Sequence, residues 1–338
     1  MILKFNSIKT NYPIDINNQI KGYKIDEEFE ILDYIKSGGS GDVYQGRFKK
    51  IKTSKYTALK FIFCKDIREN KKDKQESSPD FNEILLHHKL KHKNIPDIYG
   101  CYTIKEGYSI SMQYCKYGDL GNFKKKVLKK QYLSETFICY ISFQILNAIL
   151  YLHKNKIIHF DIKQQNILVD EYLNFYLTDF SVSLDYKSIK KDIKLNQVGT
   201  SYYISPESLN EEKIKVLDAN KIDMYSFGVL IYLLAFGDYP YKLRNIKDKD
   251  YSQMAKNIKE NKLDFPKNFK HSKNFHNFIS KCLQKNNNER ISIYDAMRDP
   301  WVIGSKYIYD EKEKLNNVSH FLIKMMSDSI LEFNNYLN

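Results

Sequence analysis

The run His159-Phe160-Asp161-Ile162-Lys163-Gln164-Gln165-Asn166, followed by Asp179-Phe180-Ser181, gathers chemistry-bearing side chains into a short stretch of chain. It supplies an Asp able to take a hydroxyl proton and a Lys able to hold a phosphate. An Asn and a second Asp add hard oxygen ligands for Mg²⁺. Moving a phosphoryl group needs positioning and charge neutralisation more than covalent chemistry, and these are the parts it uses. A polar loop with chance acids is the plain alternative, and it does not account for the order of the segments around it.

Upstream lie the glycine-rich Ile35-Lys36-Ser37-Gly38-Gly39-Ser40-Gly41-Asp42-Val43 and the strand-like Tyr56-Thr57-Ala58-Leu59-Lys60. Next come Glu83 at the head of an apolar-spaced helix, and Ser109-Ile110-Ser111-Met112-Gln113-Tyr114-Cys115. Downstream are Gly199-Thr200-Ser201-Tyr202-Tyr203-Ile204-Ser205-Pro206-Glu207, Asp223-Met224-Tyr225-Ser226-Phe227-Gly228, Arg290 and Asp299-Pro300-Trp301. In this order, from about Phe29 to Trp301, the chain resembles the eukaryotic-type protein kinase superfamily. The central run resembles its HRDxKxxN catalytic loop and DFG metal loop. Taken singly, the glycine-rich turn or a strand lysine is weak, because ordinary hairpins and exposed lysines look the same.

The resemblance implies a role for each part. Asp161 is the base, Lys163 holds the γ-phosphate, and Asn166 and Asp179 bind Mg²⁺, with Mn²⁺ as a substitute. Lys60, fixed by Glu83, meets the α- and β-phosphates. Ile35, Gly38, Gly39, Ser40, Gly41 and Val43 cover ATP. Ala58, Met112 as gatekeeper, Gln113, Cys115 and Leu168 surround its adenine, and Asp119 reaches the ribose. Glu207 pairs with Arg290, Asp223 braces the catalytic loop, and Thr200 bridges Asp161 and Lys163. Lys163 and Thr200 are the serine/threonine-kinase forms.

Five positions depart from the pattern. Phe160 stands where an Arg usually grips an activation-loop phosphate, and Asn196 stands at the usual phosphoacceptor; activity without loop phosphorylation is expected. Ser181 replaces the last residue of DFG, which removes no metal ligand. Lys36 replaces the first glycine of the phosphate loop, and His87 stands where an apolar residue is usual.

Bulk properties bound the rest. The 338 residues carry a net charge of +13 and five cysteines without CxxC pairs, which suits a reducing compartment. The N-terminus lacks a signal-peptide pattern, and the apolar stretch Phe137 to Leu152 carries Ser142, Gln144 and Asn147 and reads as a buried helix rather than a membrane span. Abundant Lys, Asn, Ile and Tyr explain the basic balance by composition, without a specific nucleic-acid partner. A soluble, intracellular, cytoplasmic protein is expected, with the nucleus also open to it and the oligomeric state unread.

The fold class implied is α+β and bilobal, a small β-rich lobe with one main helix and a larger helical lobe. The expected divisions are an extension over 1–28, the small lobe and hinge over 29–115, the large lobe over 116–303 and a helical tail over 304–338. Leu322, Met326, Ile330, Phe333 and Leu337 form one apolar stripe in that tail. The expected function is transfer of the γ-phosphate of MgATP to Ser or Thr of protein substrates. The rival readings are a pseudokinase scaffold, for which Lys36 is the best argument, and an adaptor using its basic surface.

Overall fold

The computed structural model describes residues 21–38, 41–50, 56–63, 79–130, 132–189, 192–195 and 199–314. Gly39, Ser40, Cys64, Asn196, the connection over 64–78 and the stripe from Leu322 to Leu337 lie outside the described residues. Two compact units form: Met1–Lys116 together with Asp179–Ser181, and Tyr117–Thr178 together with Val182–Asn338.

The first unit is an antiparallel sheet of β1 (Phe29–Gly38), β2 (Gly41–Phe48), β3 (Tyr56–Phe63), β4 (Ile98–Ile104) and β5 (Gly107–Gln113), in the order β1-β2-β3-β5-β4. Side chains alternate across a strand, so the central β3 feeds two faces. Leu59 and Phe61 join Phe29, Ile104 and Ile25, the last from helix α1 (Lys24–Glu28). Ala58 and Ile62 point the other way, into a cluster with Ile110, Met112 and Ile84 of helix α2 (Pro79–Lys89). Lys60, between them in register, therefore faces the side that α2 covers. Residues 24–28 pack onto this sheet: Ile25 is fully buried, and Tyr102 donates to Glu28 at 2.7 Å.

The second unit is built on α3 (Glu135–Lys154) and α4 (Lys221–Phe236). Both are apolar on nearly every side and buried accordingly. The side chain of Ser134 caps α3 by accepting from Phe137 N at 3.3 Å, and Gly237, at φ 70°, ends α4 in the left-handed conformation that glycine tolerates. By length and composition α3 is apolar enough to cross a membrane, but it is a core helix whose Phe137, Ile141, Ile145, Leu146 and Ile149 are all buried. On the pair pack α6 (Lys273–Cys282) and α7 (Pro300–Lys314), while α5 (Tyr251–Glu260) packs against Pro206–Leu209 and Pro240–Asn245. Gly228 lets α4 approach α6 closely, since a Cβ there would stand 2.7 Å from Cys282 Cβ.

Three short strand pairs hold the loops of this unit. β6 (Ile157–Ile158) pairs with β9 (Leu184–Asp185), β7 (Ile167–Val169) with β8 (Phe175–Leu177), and β10 (Ile193–Lys194) with β11 (Lys213–Ile214). Asp170 closes the β7–β8 hairpin by accepting from Tyr172 N, Asn174 N, Asn174 Nδ2 and Tyr176 Oη at 2.8–2.9 Å.

Candidate active site

In the first unit the candidate phosphate-holding residues converge. Lys60 Nζ lies 2.5 Å from Glu83 Oε1 and 3.4 Å from Asp179 Oδ1, with Lys60 and Glu83 both buried. Burial works against the ammonium charge, but Asp179 and Glu83 outweigh it, so the Lys60 pKa lies above its ordinary value. An ammonium has three donors, and the pair of carboxylates aims it while leaving capacity for a phosphate oxygen.

Asp179 itself adopts φ 70°, a left-handed conformation that Asp tolerates better than most residues. Ser181 is not among the described residues with positive φ, so a Cβ there is compatible with this arrangement. Phe180 is fully buried with its ring 4.8 Å from that of His87. His87 Nε2 lies 3.0 Å from Pro96 O, which can only accept, so Nε2 carries the proton. Burial, with help from Lys60 and against the pull of the Pro96 carbonyl and Asp179, pushes the His87 pKa down to about 4. The ring is neutral near pH 7 and does the work of an apolar residue there.

The candidate adenine contacts Ala58 and Met112 belong to one apolar cluster, with Val43 packed against it. Thr57 Oγ1 donates to Met112 O at 2.8 Å, and Gln113 N to Asp97 O at 2.8 Å, which fixes the strand that leads to the buried Cys115. Gly41 at φ 131° is required as glycine, because a Cβ would sit 2.1 Å from Phe61 O. Gly38 pairs with Gly41 across the β1–β2 turn, and Ile35 is exposed.

In the second unit the catalytic-loop residues form a closed set. Lys163 Nζ donates to Asp161 Oδ2 at 2.6 Å and to Thr200 Oγ1 at 2.5 Å. Thr200 Oγ1 in turn donates to Asp161 Oδ1 at 2.8 Å, and Asn166 Nδ2 to Asp161 Oδ2 at 2.9 Å. These donors orient both carboxylate oxygens. Because Asn166 uses Nδ2 for this, its carbonyl oxygen is the end that suits a hard cation. Asp179 offers only carboxylate oxygens, so each residue by its donor chemistry suits a divalent cation of the Mg²⁺ type.

What holds this loop comes from distant parts of the chain. Asp223 Oδ1 accepts from Phe160 N at 2.9 Å, and Oδ2 accepts from His159 N at 2.9 Å and lies 2.8 Å from His153 Nε2. His159 accepts Asp161 N–H on Nδ1 at 3.2 Å and faces Thr178 O through Nε2 at 3.1 Å, which fixes its tautomer. Gly199, at φ 101°, is glycine because a Cβ would meet Phe160 O at 2.5 Å. Glu207 and Arg290 form a buried two-bond pair at 2.6 and 2.8 Å, with the guanidinium 4.9 Å from the Tyr225 ring. Leu168 is joined to Asp119 by an isolated β-bridge. Asp119 has both oxygens engaged by Asn122, through N at 2.9 Å and Nδ2 at 2.6 Å, so capping this turn is its first task.

Sequence motifs pointed to Asp223, Glu207 and Arg290 but not to His153 or Glu135. Glu135 is buried and accepts from Ser272 N, Ser272 Oγ and Trp301 Nε1 at 2.6–3.1 Å, tying α3 to α6 and α7. Neither residue lies in a recognisable spacing, and only the apolar run beside each hinted at burial.

Comparison with known proteins gives the family. A family profile described as the protein kinase domain matches residues 29–302. The chain is 31% identical over 283 residues to serine/threonine-protein kinase dst2 of Dictyostelium discoideum, covering 83% of this chain and 23% of that protein. It is 29% identical over 284 residues to an Aurora kinase of Schizosaccharomyces pombe, covering 84% and 74%. Over 319 residues it is 29% identical to serine/threonine-protein kinase pakH of Dictyostelium discoideum, covering 94% and 56%. The chain thus spans under a quarter of the first of these relatives and just over half of the last. With the ordered motifs, the Asp161–Lys163–Thr200 set and a profile match over most of its length, the chain belongs to the protein kinase family.

Proposed function

We propose that this protein is an active serine/threonine kinase that transfers the γ-phosphate of MgATP to protein hydroxyls. The observation that carries this reading is the Lys163–Thr200–Asp161 set with Asn166, a carboxylate oriented by three donors beside a lysine with one donor left over. A substrate Ser or Thr hydroxyl donates to Asp161. As its oxygen bonds to the γ-phosphorus and the bond to the leaving ADP oxygen breaks, Asp161 takes the proton. Lys163 holds the transferring oxygens through its remaining N–H, and Lys60, aimed by Glu83, holds the phosphates of the nucleotide. Asn166 and Asp179 would hold Mg²⁺, which neutralises the charge that develops on the phosphates. Turnover of roughly 1–100 s⁻¹ on a good substrate is the family's order.

The reading extends to activity without activation-loop phosphorylation, supported by what surrounds Phe160. Its side chain packs against an apolar cluster of Ile158, Tyr186, Leu195, Val216, Ala219 and Ile222, to which Leu184, Ile189, Ile193 and Ile214 also pack. Packing and two short strand pairs then do for residues 184–189 and 192–195 what an Arg–phosphate contact does elsewhere.

The test is phosphate transfer from radiolabelled MgATP to generic protein substrates, beside an Asp161→Asn control. Transfer to Ser and Thr that disappears in the control and survives phosphatase treatment is the expected result. Binding of MgATP without transfer would point instead to a nucleotide-binding scaffold. Loss of activity on phosphatase treatment, reproduced by Ser188→Ala, would remove the phosphorylation-independent part alone.

A further inference from the structure

The second unit carries a turn whose charge stands apart. After the capped helical turn Leu120–Asn122, the chain passes through a wide π-turn, Phe123–Val127, and bends back at Lys129, φ 52°. Between 124 and 130 the residues are Lys124, Lys125, Lys126, Val127, Leu128, Lys129 and Lys130, with no acid among them. Phe123 and Leu128 are buried and anchor the turn, while Lys125, Lys126, Lys129 and Lys130 are exposed. Among the described residues, none of these four exposed lysines has a carboxylate within ion-pair distance, although exposed lysines elsewhere in this unit, such as Lys194 with Glu211 and Lys281 with Asp299, do. The acid that opens the turn, Asp119, is buried and already caps it.

Position gives this charge a use. Gly121 lies so close to the catalytic loop that a Cβ there would stand 3.3 Å from Gln164 Cδ. Reciprocal backbone bonds, Tyr117 N to Val169 O at 3.0 Å and Val169 N to Gly118 O at 2.8 Å, tie the approach to this turn to the strand that follows the loop. Lys124 to Lys126 follow Gly121 by three to five residues, roughly 5–8 Å of helical rise. An extended peptide advances about 3.3 Å per residue. A segment whose hydroxyl sits at Asp161 therefore brings its neighbours, a few residues along, within reach of these ammonium groups. Gln165, exposed beside Gln164, adds no negative charge that would favour a basic segment.

We propose that Lys125, Lys126, Lys129 and Lys130 form a docking surface for acidic peptide, selecting substrates whose acceptor Ser or Thr is flanked by Asp and Glu. The inference rests on the kinase reading above and names the substrate class for it. A nucleic acid fits the surface less well. The aromatic residue inside the turn, Phe123, is buried, and the exposed Tyr132 beyond it already packs edge-on against Phe269, so neither offers bases a free ring face.

The experiment compares three peptides identical except for flanks of Glu, Ala or Lys around one Ser, assayed at 50 and 300 mM salt. The enzymes are wild type, a fourfold variant K125A/K126A/K129A/K130A and the matching fourfold change to Glu, each checked for an unchanged melting temperature. Wild type should favour the Glu peptide over the Lys peptide by about tenfold or more in kcat/KM, mostly through KM, with the preference shrinking at high salt. The alanine variant should bring the peptides to within about twofold while keeping kcat on the Ala peptide, and the glutamate variant should invert the order. Indifference of the wild type, preference for the Lys peptide, or a preference untouched in the alanine variant would each overturn the proposal. So would loss of oligonucleotide or phosphatidylserine-vesicle binding in that variant with peptide choice unaltered, which would assign the surface to another polyanion. If no peptide is phosphorylated by any form, the kinase reading is what has failed. Fluorescence anisotropy of the labelled Glu peptide then still decides: salt-sensitive binding lost in the alanine variant supports the surface, and absence of binding to wild type overturns it.

Discussion

Asp223 Oδ1 accepts the backbone N–H of Phe160 at 2.9 Å, and Phe160 holds that place at φ 65°, a left-handed conformation that a bulky residue adopts at a cost. The strain is sustained from two sides. The buried carboxylate grips the backbone, and the ring is anchored against the cluster of Ile158, Tyr186, Leu195, Val216, Ala219 and Ile222. Through this one residue, the packing of the segment that leads to Thr200 is connected to the backbone beside Asp161.

The ring and the backbone at this position are separable. Phe160→Leu should keep most of the anchoring and most of the activity. Phe160→Asn suits the left-handed backbone but loses the ring, and should lower kcat by about tenfold while making residues 184–195 more open to protease. Limited proteolysis beside steady-state kinetics checks both. Equal behaviour of the Leu and Asn variants would remove the ring from the account.

The Lys60–Glu83 pair separates stability from nucleotide binding. Lys60→Met leaves a buried carboxylate without its cation and should cost about 3–5 kcal/mol of stability along with nucleotide affinity. The double change Lys60→Met, Glu83→Leu should restore much of the stability and none of the affinity. Thermal melts and nucleotide titration on the three proteins decide it, and a double variant as unstable as the single one would contradict the reading.

Arg290 and Glu207 should not tolerate a change that preserves charge alone. Arg290→Lys loses the second parallel bond to Glu207 and the face-on contact with Tyr225. A loss of about 2 kcal/mol or more in urea denaturation is expected. A loss under about 0.5 kcal/mol would mean that the fork geometry is incidental.

His87 gives the fold a definite acid sensitivity. Its folded pKa of about 4 lies below the ordinary 6.5, so the unfolded chain binds more protons between these values. The contribution is complete above pH 6.5, falls as the pH drops through that window, and is gone below about 4. Its size is on the order of 3 kcal/mol. In urea denaturation from pH 7 to pH 4, His87→Leu should lose less stability than wild type. Parallel curves would show that other groups set the acid limit.

Sequence alone determined the family and made the candidate site legible, because much of that site lies within short runs. Asp161, Lys163 and Asn166 are so close along the chain that one turn, Gln164–Asn166, brings them together. β3 alternates as its residues require, which puts Lys60 on the same face as Ala58. Tertiary structure alone decided what holds these groups still. His153 meets Asp223, and Glu135 meets Ser272 and Trp301, across separations of 70, 137 and 166 residues, and no local pattern encodes such meetings. The same holds for Phe160: its type marked the missing arginine, but the apolar cluster that takes over is assembled from four separate stretches of chain. Local spacing fixes which side chains can share a turn. Which buried donor finds which acceptor is settled only when the helices pack and every polar group left inside must be satisfied.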